Sequence, residues 1–120
     1  MPREMRNGNI SDVVIGKSKI GQFKNGKGVF ANRDFKKGDV VIQYHLTPLT
    51  EEEWSGLSEG EKEFVHIHWG QRYLYLEPER YVNHSDEPNT YQELTKKQDI
   101  ALRDINKGEE ITTNAAKDEV

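Results

Sequence analysis

The segment Arg80-Tyr81-Val82-Asn83-His84-Ser85-Asp86-Glu87-Pro88-Asn89 decides how this chain is read. It combines amide, imidazole, hydroxyl and turn chemistry within one short stretch. Asn83 and His84 offer donors and acceptors in fixed planes, which suits reading a heterocycle or anchoring buried backbone. Asp86-Glu87-Pro88-Asn89 imposes a turn. Such a run makes a poor strand or helix, and a second block, Gly108-Glu109-Glu110-Ile111-Thr112, follows it further along the chain.

Outward from this segment the sequence reads as short strands. Val13-Val14-Ile15, stopped by Gly16, and Gly28-Val29-Phe30-Ala31, after the glycine-rich loop Gly21 to Gly28, predict the two sides of a hairpin. Asp39 to Leu46 predicts a strand ended by Thr47-Pro48. Thr50-Glu51-Glu52-Glu53 and Ser58-Glu59-Gly60-Glu61 both carry the capping-box pattern. Two short helices are expected there, because Gly56 and Gly60 would each cost about 1 kcal/mol inside one long helix. Arg72 to Glu77 returns to strand character before Pro78, and Asp99 to Asp104 alternates polar and apolar like a half-buried strand.

Arg33-Asp34-Phe35-Lys36-Lys37-Gly38-Asp39 is echoed by Arg103-Asp104-Ile105-Asn106-Lys107-Gly108-Glu109. In each copy an apolar residue anchors the chain before a tight turn whose Gly takes the left-handed backbone. One turn device used twice suits a fold of many short strands. No longer period is sustained, so a solenoid is not expected.

The 120 residues suffice for one domain with one modest core. Charged residues make up 32% with signs interspersed, and the net charge of -4 offers no basic face for phosphates, so direct nucleic-acid binding is not expected. An acidic protein more naturally attracts a basic peptide. With no cysteine, neither disulfides nor thiolate zinc sites are available. No long apolar run or signal-like start occurs, so the expectation is an intracellular, cytoplasmic protein without a membrane span, with nuclear or chromatin association left open.

Taken together, Gly26-Lys27-Gly28-Val29-Phe30-Ala31, Phe35 to Val41, Arg80 to Asn89 and Ile105 to Thr112 resemble a SET domain in its small single-domain form. The Asn-His-Ser…Pro-Asn block is the specific one. The resemblance implies a mostly β fold of small curved sheets with short helices and a C-terminal pseudoknot, in which the tail threads beside the Asn-His segment. It implies a domain over residues 13–116, between an N-terminal segment 1–12 and a short tail 117–120. It also implies an S-adenosylmethionine-dependent protein-lysine N-methyltransferase acting on a lysine-containing protein or peptide; a homodimer is left open.

By the same resemblance Gly26, Lys27, Gly28, Arg80, Asn83 and His84 line the cofactor site. The Gly26 to Gly28 backbone approaches the methionine part, Lys27 lies near its carboxylate, Asn83 near the amino-acid end and the His84 backbone near the adenine edge. Tyr81 and Tyr91 flank the motif and are the candidate aromatic walls of a lysine channel. The family places a tyrosine three residues after the Thr of its Gly-Glu-Glu-Ile-Thr segment, and here Thr112-Thr113-Asn114-Ala115 puts Ala115 in that position. The alternative is therefore a weak or inactive SET domain that binds cofactor or peptide. His66 and His68 share a strand face at a metal-like spacing but lack an evident Cys or carboxylate partner, so no metal is expected and both are read as partly exposed. Trp54 and Trp69 are read as core residues.

Overall fold

The computed structural model describes residues 12–20 and 26–114. Ala115 and residues 21–25 of the glycine-rich loop lie outside them, as do most of the two terminal segments. The β-branched run forms β1 (Val13–Lys17), antiparallel to β2 (Lys27–Ala31), with Gly16 opposite Gly28. β3 (Val40–Gln43) and β4 (Thr47–Pro48) lead into α1 (Glu51–Ser55) and α2 (Glu59–Lys62). β5 (Val65–His68) and β6 (Gln71–Leu74) form a hairpin, followed by a 3-10 turn at Glu79–Tyr81. β7 (Asn83–His84), β8 (Thr90–Glu93), β9 (Gln98–Ala101) and β10 (Glu110–Thr113) complete the elements among the described residues.

These strands make three small sheets, ordered β1-β2-β10-β7, β3-β9-β8 and β4-β6-β5. Within the first, β10 lies between β2 and β7, antiparallel to one and parallel to the other. The C-terminal strand therefore delivers Glu110 beside the glycine loop and Thr112 beside Asn83. Val29, Phe35, Val41, Ile42, Ile105 and Ile111 form the fully buried centre. Each such side chain contributes about 1.5–3 kcal/mol when removed from water, an upper figure because unfolded chains already bury some surface.

The sequence echo is a paired structure. Phe35 and Ile105 exchange backbone hydrogen bonds of 2.8 and 2.9 Å. Asp34 accepts from the Lys107 amide at 2.8 Å while Asp104 accepts from the Lys37 amide at 2.9 Å. Gly38 and Gly108 take φ of 91° and 95°, as their turns require. The two copies thus stabilise each other as well as their own turns.

Both short helices form where expected. Thr50 and Glu53 complete a capping box, and the Ser58 hydroxyl accepts from the Glu61 amide. Other readings need correction. The strand expected over Asp39 to Leu46 ends at Gln43; the Tyr44 amide still donates to the Lys97 carbonyl at 2.8 Å, and the chain departs at His45, whose amide donates to the Glu79 carboxylate at 2.7 Å. In β9 the buried residues are Asp99 and Ala101, and Leu102 is exposed; Asp99 turns inward to meet the Tyr44 hydroxyl.

Neither Trp belongs to the buried core. Trp54 is half-buried, with Lys62 and Arg72 over its ring. Trp69 is 55% exposed because, with Gly70, it makes the tight turn between β5 and β6 at positive φ, which directs its side chain outward. His68, expected at a partly exposed position, is buried with its Nε2 2.7 Å from the Tyr75 hydroxyl, whereas His66 on the same face is exposed.

Candidate active site

The site is built where β2, β7 and β10 meet. Gly26 has a φ of 74°, and its carbonyl accepts from the Ser18 amide at 2.7 Å, closing the loop onto the end of β1. Asn83 is buried, and its side-chain amide donates to the Lys27 carbonyl and to Glu110 Oε2, both at 2.9 Å. The Glu110 carboxylate also accepts from the Ser18 hydroxyl at 2.8 Å. A Cβ at Gly28 would come within 2.5 Å of Glu110 Oε2 and 2.8 Å of Ser18 Cβ. The missing side chain at Gly28 thus makes room for a carboxylate of the protein itself.

Asn89 secures the other end of the motif. Its side-chain amide donates to the Glu110 carbonyl at 2.8 Å and its oxygen accepts from the Thr112 amide at 2.9 Å. One side chain so imitates a neighbouring strand. Thr90 adds a hydroxyl donation to the Thr112 carbonyl at 2.8 Å, and the Ser85 amide donates to the Thr113 carbonyl at 3.0 Å.

Gly26, Lys27, Gly28 and Asn83 are therefore brought together. The Lys27 ammonium lies 5.0 Å from the centre of the Tyr81 ring, so this lysine and one of the two tyrosines are neighbours. His84 presents its backbone to β10 while its exposed ring meets Asp86 at 3.0 Å. Arg80 is engaged elsewhere. Its guanidinium grips Glu61 with two hydrogen bonds of 2.8 and 3.1 Å, donates to the Tyr75 carbonyl at 2.9 Å and lies over Phe64. That hydrogen bond to Arg80 holds the Glu61 carboxyl below its ordinary range and raises the guanidinium.

Tyr91 is exposed on β8, opposite Ile100. Its neighbour Gln92 faces the other way, since successive side chains of a strand alternate, and there it meets a polar aromatic group that sequence reasoning did not identify. The Gln92 amide lies 3.1 Å from the Tyr44 hydroxyl and 3.4 Å from that of Tyr75. The Tyr44 hydroxyl donates to buried Asp99, and Tyr75 meets His68. Burial first, and then the Asp99 carboxylate, push the Tyr44 hydroxyl well above the ordinary tyrosine range, so it stays a donor. Tyr44 and Tyr75 stand at strand ends in sequence, but only the fold shows that they are 5.7 Å apart between ring centres.

Among the described residues no group of three or more His, Cys, Asp or Glu is placed to hold a metal ion. None of the helices among them is long and apolar enough to cross a membrane.

The SET domain family model matches residues 26–114, and the chain belongs to this family of protein-lysine methyltransferases. Among solved structures, a candidate histone methyltransferase of Plasmodium falciparum is 25% identical, with a TM-score of 0.64 over 87% of this chain and 92% of that one. The Polycomb Repressive Complex 2 of Chaetomium thermophilum shares the fold. An apo form carrying two mutations in its Ezh2 subunit gives a TM-score of 0.69 at 22% identity, over 90% of this chain. An autoinhibited form bound to S-adenosylmethionine gives 0.64 at 23% identity, over 91%. This chain spans only 15% and 16% of those two. A search of curated proteins finds no match.

Proposed function

We propose that the protein is an S-adenosylmethionine-dependent protein-lysine N-methyltransferase acting on a lysine-bearing protein or peptide. The observation that carries this reading is the Asn83 amide, which ties the Lys27 carbonyl to Glu110 and so joins three separate sequence blocks at one place. The donor set suits the cofactor. Gly26 to Gly28 expose backbone, Lys27 supplies a cation for a carboxylate, and Asn83 and Glu110 supply acceptors for an ammonium. The parallel pairing of β10 with β7 is read as the base of the family's pseudoknot, within a domain of residues 13–116.

Bound S-adenosylmethionine supplies an electrophilic methyl on its sulfonium. The protein's part is to hold the cofactor and to present a neutral amine, although lysine's ordinary pKa is about 10.4. An aromatic channel favours the neutral form by excluding water, and it orients the nitrogen. Tyr81, beside Lys27, and Tyr91, on the outer face of β8, are the walls read from sequence; Tyr44 and Tyr75 add a buried pair whose hydroxyls are fixed by Gln92. Arg80 supports the site by holding α2 against the Tyr75 backbone, and the His84 backbone faces the adenine edge.

A second reading, a module that binds cofactor or peptide without efficient turnover, is favoured by Ala115 in the family's tyrosine position. Loss of one preorganised polar group commonly costs about a hundredfold or more in rate. Calorimetric titration with S-adenosylmethionine and S-adenosylhomocysteine, followed by labelled methyl transfer to a lysine-bearing protein pool, tests both. Binding with transfer supports the enzyme. Binding without transfer supports the module, restoration of transfer by A115Y exposes a disabled enzyme instead, and absence of binding overturns the enzyme and the cofactor-binding module alike.

A further inference from the structure

Glu110 differs from several other carboxylates of the domain, which face a basic side chain. Glu109 next to it meets Arg103 at 3.0 Å, Glu61 meets Arg80 at 2.8 Å and Glu79 meets His45 at 3.3 Å. Glu110 has only neutral donors, the Ser18 hydroxyl and the Asn83 amide, and among the described residues no cation lies within 4 Å of it. Lys27, whose carbonyl shares the Asn83 amide with Glu110, sends its ammonium over the Tyr81 ring instead. A half-buried carboxylate without a counter-charge sacrifices hydration for little return unless a cation arrives from outside.

The surroundings hold this charge in one position. Ser18 and Asn83 grip it from two strands, and the absent side chain of Gly28 leaves it the space it occupies. Both N–H bonds of the Asn83 amide are spent, one on Lys27 and one on Glu110, while its oxygen accepts none of the hydrogen bonds among the described residues. An anionic oxygen and a nearby amide oxygen form an acceptor set for an ammonium group, which has only donors. The geometry points to Glu110 as the anionic partner of the cofactor's α-ammonium, an assignment that rests on the cofactor reading above. Because the carboxylate is already held, little ordering is needed on binding, and a charge-assisted hydrogen bond forms where the ground has been prepared.

The test is calorimetric titration of the full chain and of E110Q, which keeps the side chain's shape and removes its charge. The probes are S-adenosylmethionine, S-adenosylhomocysteine and the deaminated thioether 5′-S-(3-carboxypropyl)-5′-thioadenosine. The expected result is that E110Q binds the first two in parallel at least about tenfold more weakly, and the third as the parent does. Unchanged affinity for the first two, or an equal loss for all three, overturns the assignment in favour of a structural clamp. Weaker binding of S-adenosylmethionine alone overturns it in favour of a carboxylate facing the sulfonium. If the parent chain binds none of the probes, the cofactor reading falls and this assignment with it. Thermal melts without ligand establish that E110Q is folded. Should it not be, E110D carries the test: its shorter arm is expected to weaken both amino-bearing ligands at least about threefold and to spare the deaminated one, and unchanged affinity overturns the assignment.

Discussion

Asn83 and Lys27 are joined by a 2.9 Å hydrogen bond from the asparagine side-chain amide to the lysine backbone carbonyl. The same amide reaches Glu110 at 2.9 Å, so one side chain couples the glycine loop, the Asn-His segment and the C-terminal strand. Buried amides of this kind are costly to lose, because each abandoned partner must find water or go without.

Replacement of Asn83 by Ala is therefore expected to lower stability by about 1–3 kcal/mol. It should also weaken S-adenosylmethionine at least about tenfold, since the loop carbonyl and the Glu110 carboxylate are both released. Chemical denaturation and calorimetry read the two effects separately.

The glycines separate two kinds of cost. Gly28→Ala drives a Cβ against Glu110 Oε2 and Ser18 Cβ, and an overpacked site of that kind is expected to lose about 1–3 kcal/mol together with cofactor affinity. Gly108→Ala meets nothing within 4 Å, so its cost is the left-handed backbone at a φ of 95°, about 1 kcal/mol, with cofactor affinity retained. Denaturant melts paired with ligand titration distinguish the two.

Tyr44 governs behaviour at alkaline pH. Its folded-state pKa is raised, chiefly by burial and then by Asp99, so the folded chain keeps a proton that the unfolded chain releases near pH 10. Stability is expected to fall as pH rises above about 10, and Tyr44→Phe should flatten that decline. Asp99→Asn should lower the Tyr44 pKa only partway, because burial remains; phenolate absorbance against the Tyr44→Phe background measures it.

Acid acts through a different pair. The Arg80 hydrogen bond lowers the Glu61 pKa below 4.5, so its contribution is present above that value and is lost as pH falls through the folded-state pKa. The Glu61 side chain is 42% exposed and its pair is partly screened, which limits the contribution to about 1 kcal/mol or less. Glu61→Gln should show a shallower loss of melting temperature than the parent chain as pH falls below about 4.5.

Local pattern carried much of the fold. The β1–β2 hairpin, the Thr50 and Ser58 caps and each of the two glycine turns follow from contacts close in sequence, whose chemistry a short window contains. The misreadings share the opposite cause. Trp69 is turned outward by a hairpin geometry that its apolar character conceals, and Asp99 is turned inward by Tyr44, a partner 55 residues away in the chain.

The same division runs through the site. The nearness of Gly26, Lys27, Gly28 and Asn83 was an expectation drawn from distinctive blocks, whereas the grouping of Tyr44, Tyr75 and Gln92, and separately the clasp of Glu110 by Ser18 and Asn83, appear only once the sheets form. By itself the sequence determined the family, the turns and the residue types available to a cofactor. Only the tertiary structure decided that Arg80 serves Glu61, that Tyr91 and Gln92 face opposite ways, and that Glu110 occupies the space above Gly28. Hydrogen bonds and charge pairs act over a few ångströms, and which distant residues come within that reach is settled by strand order and register.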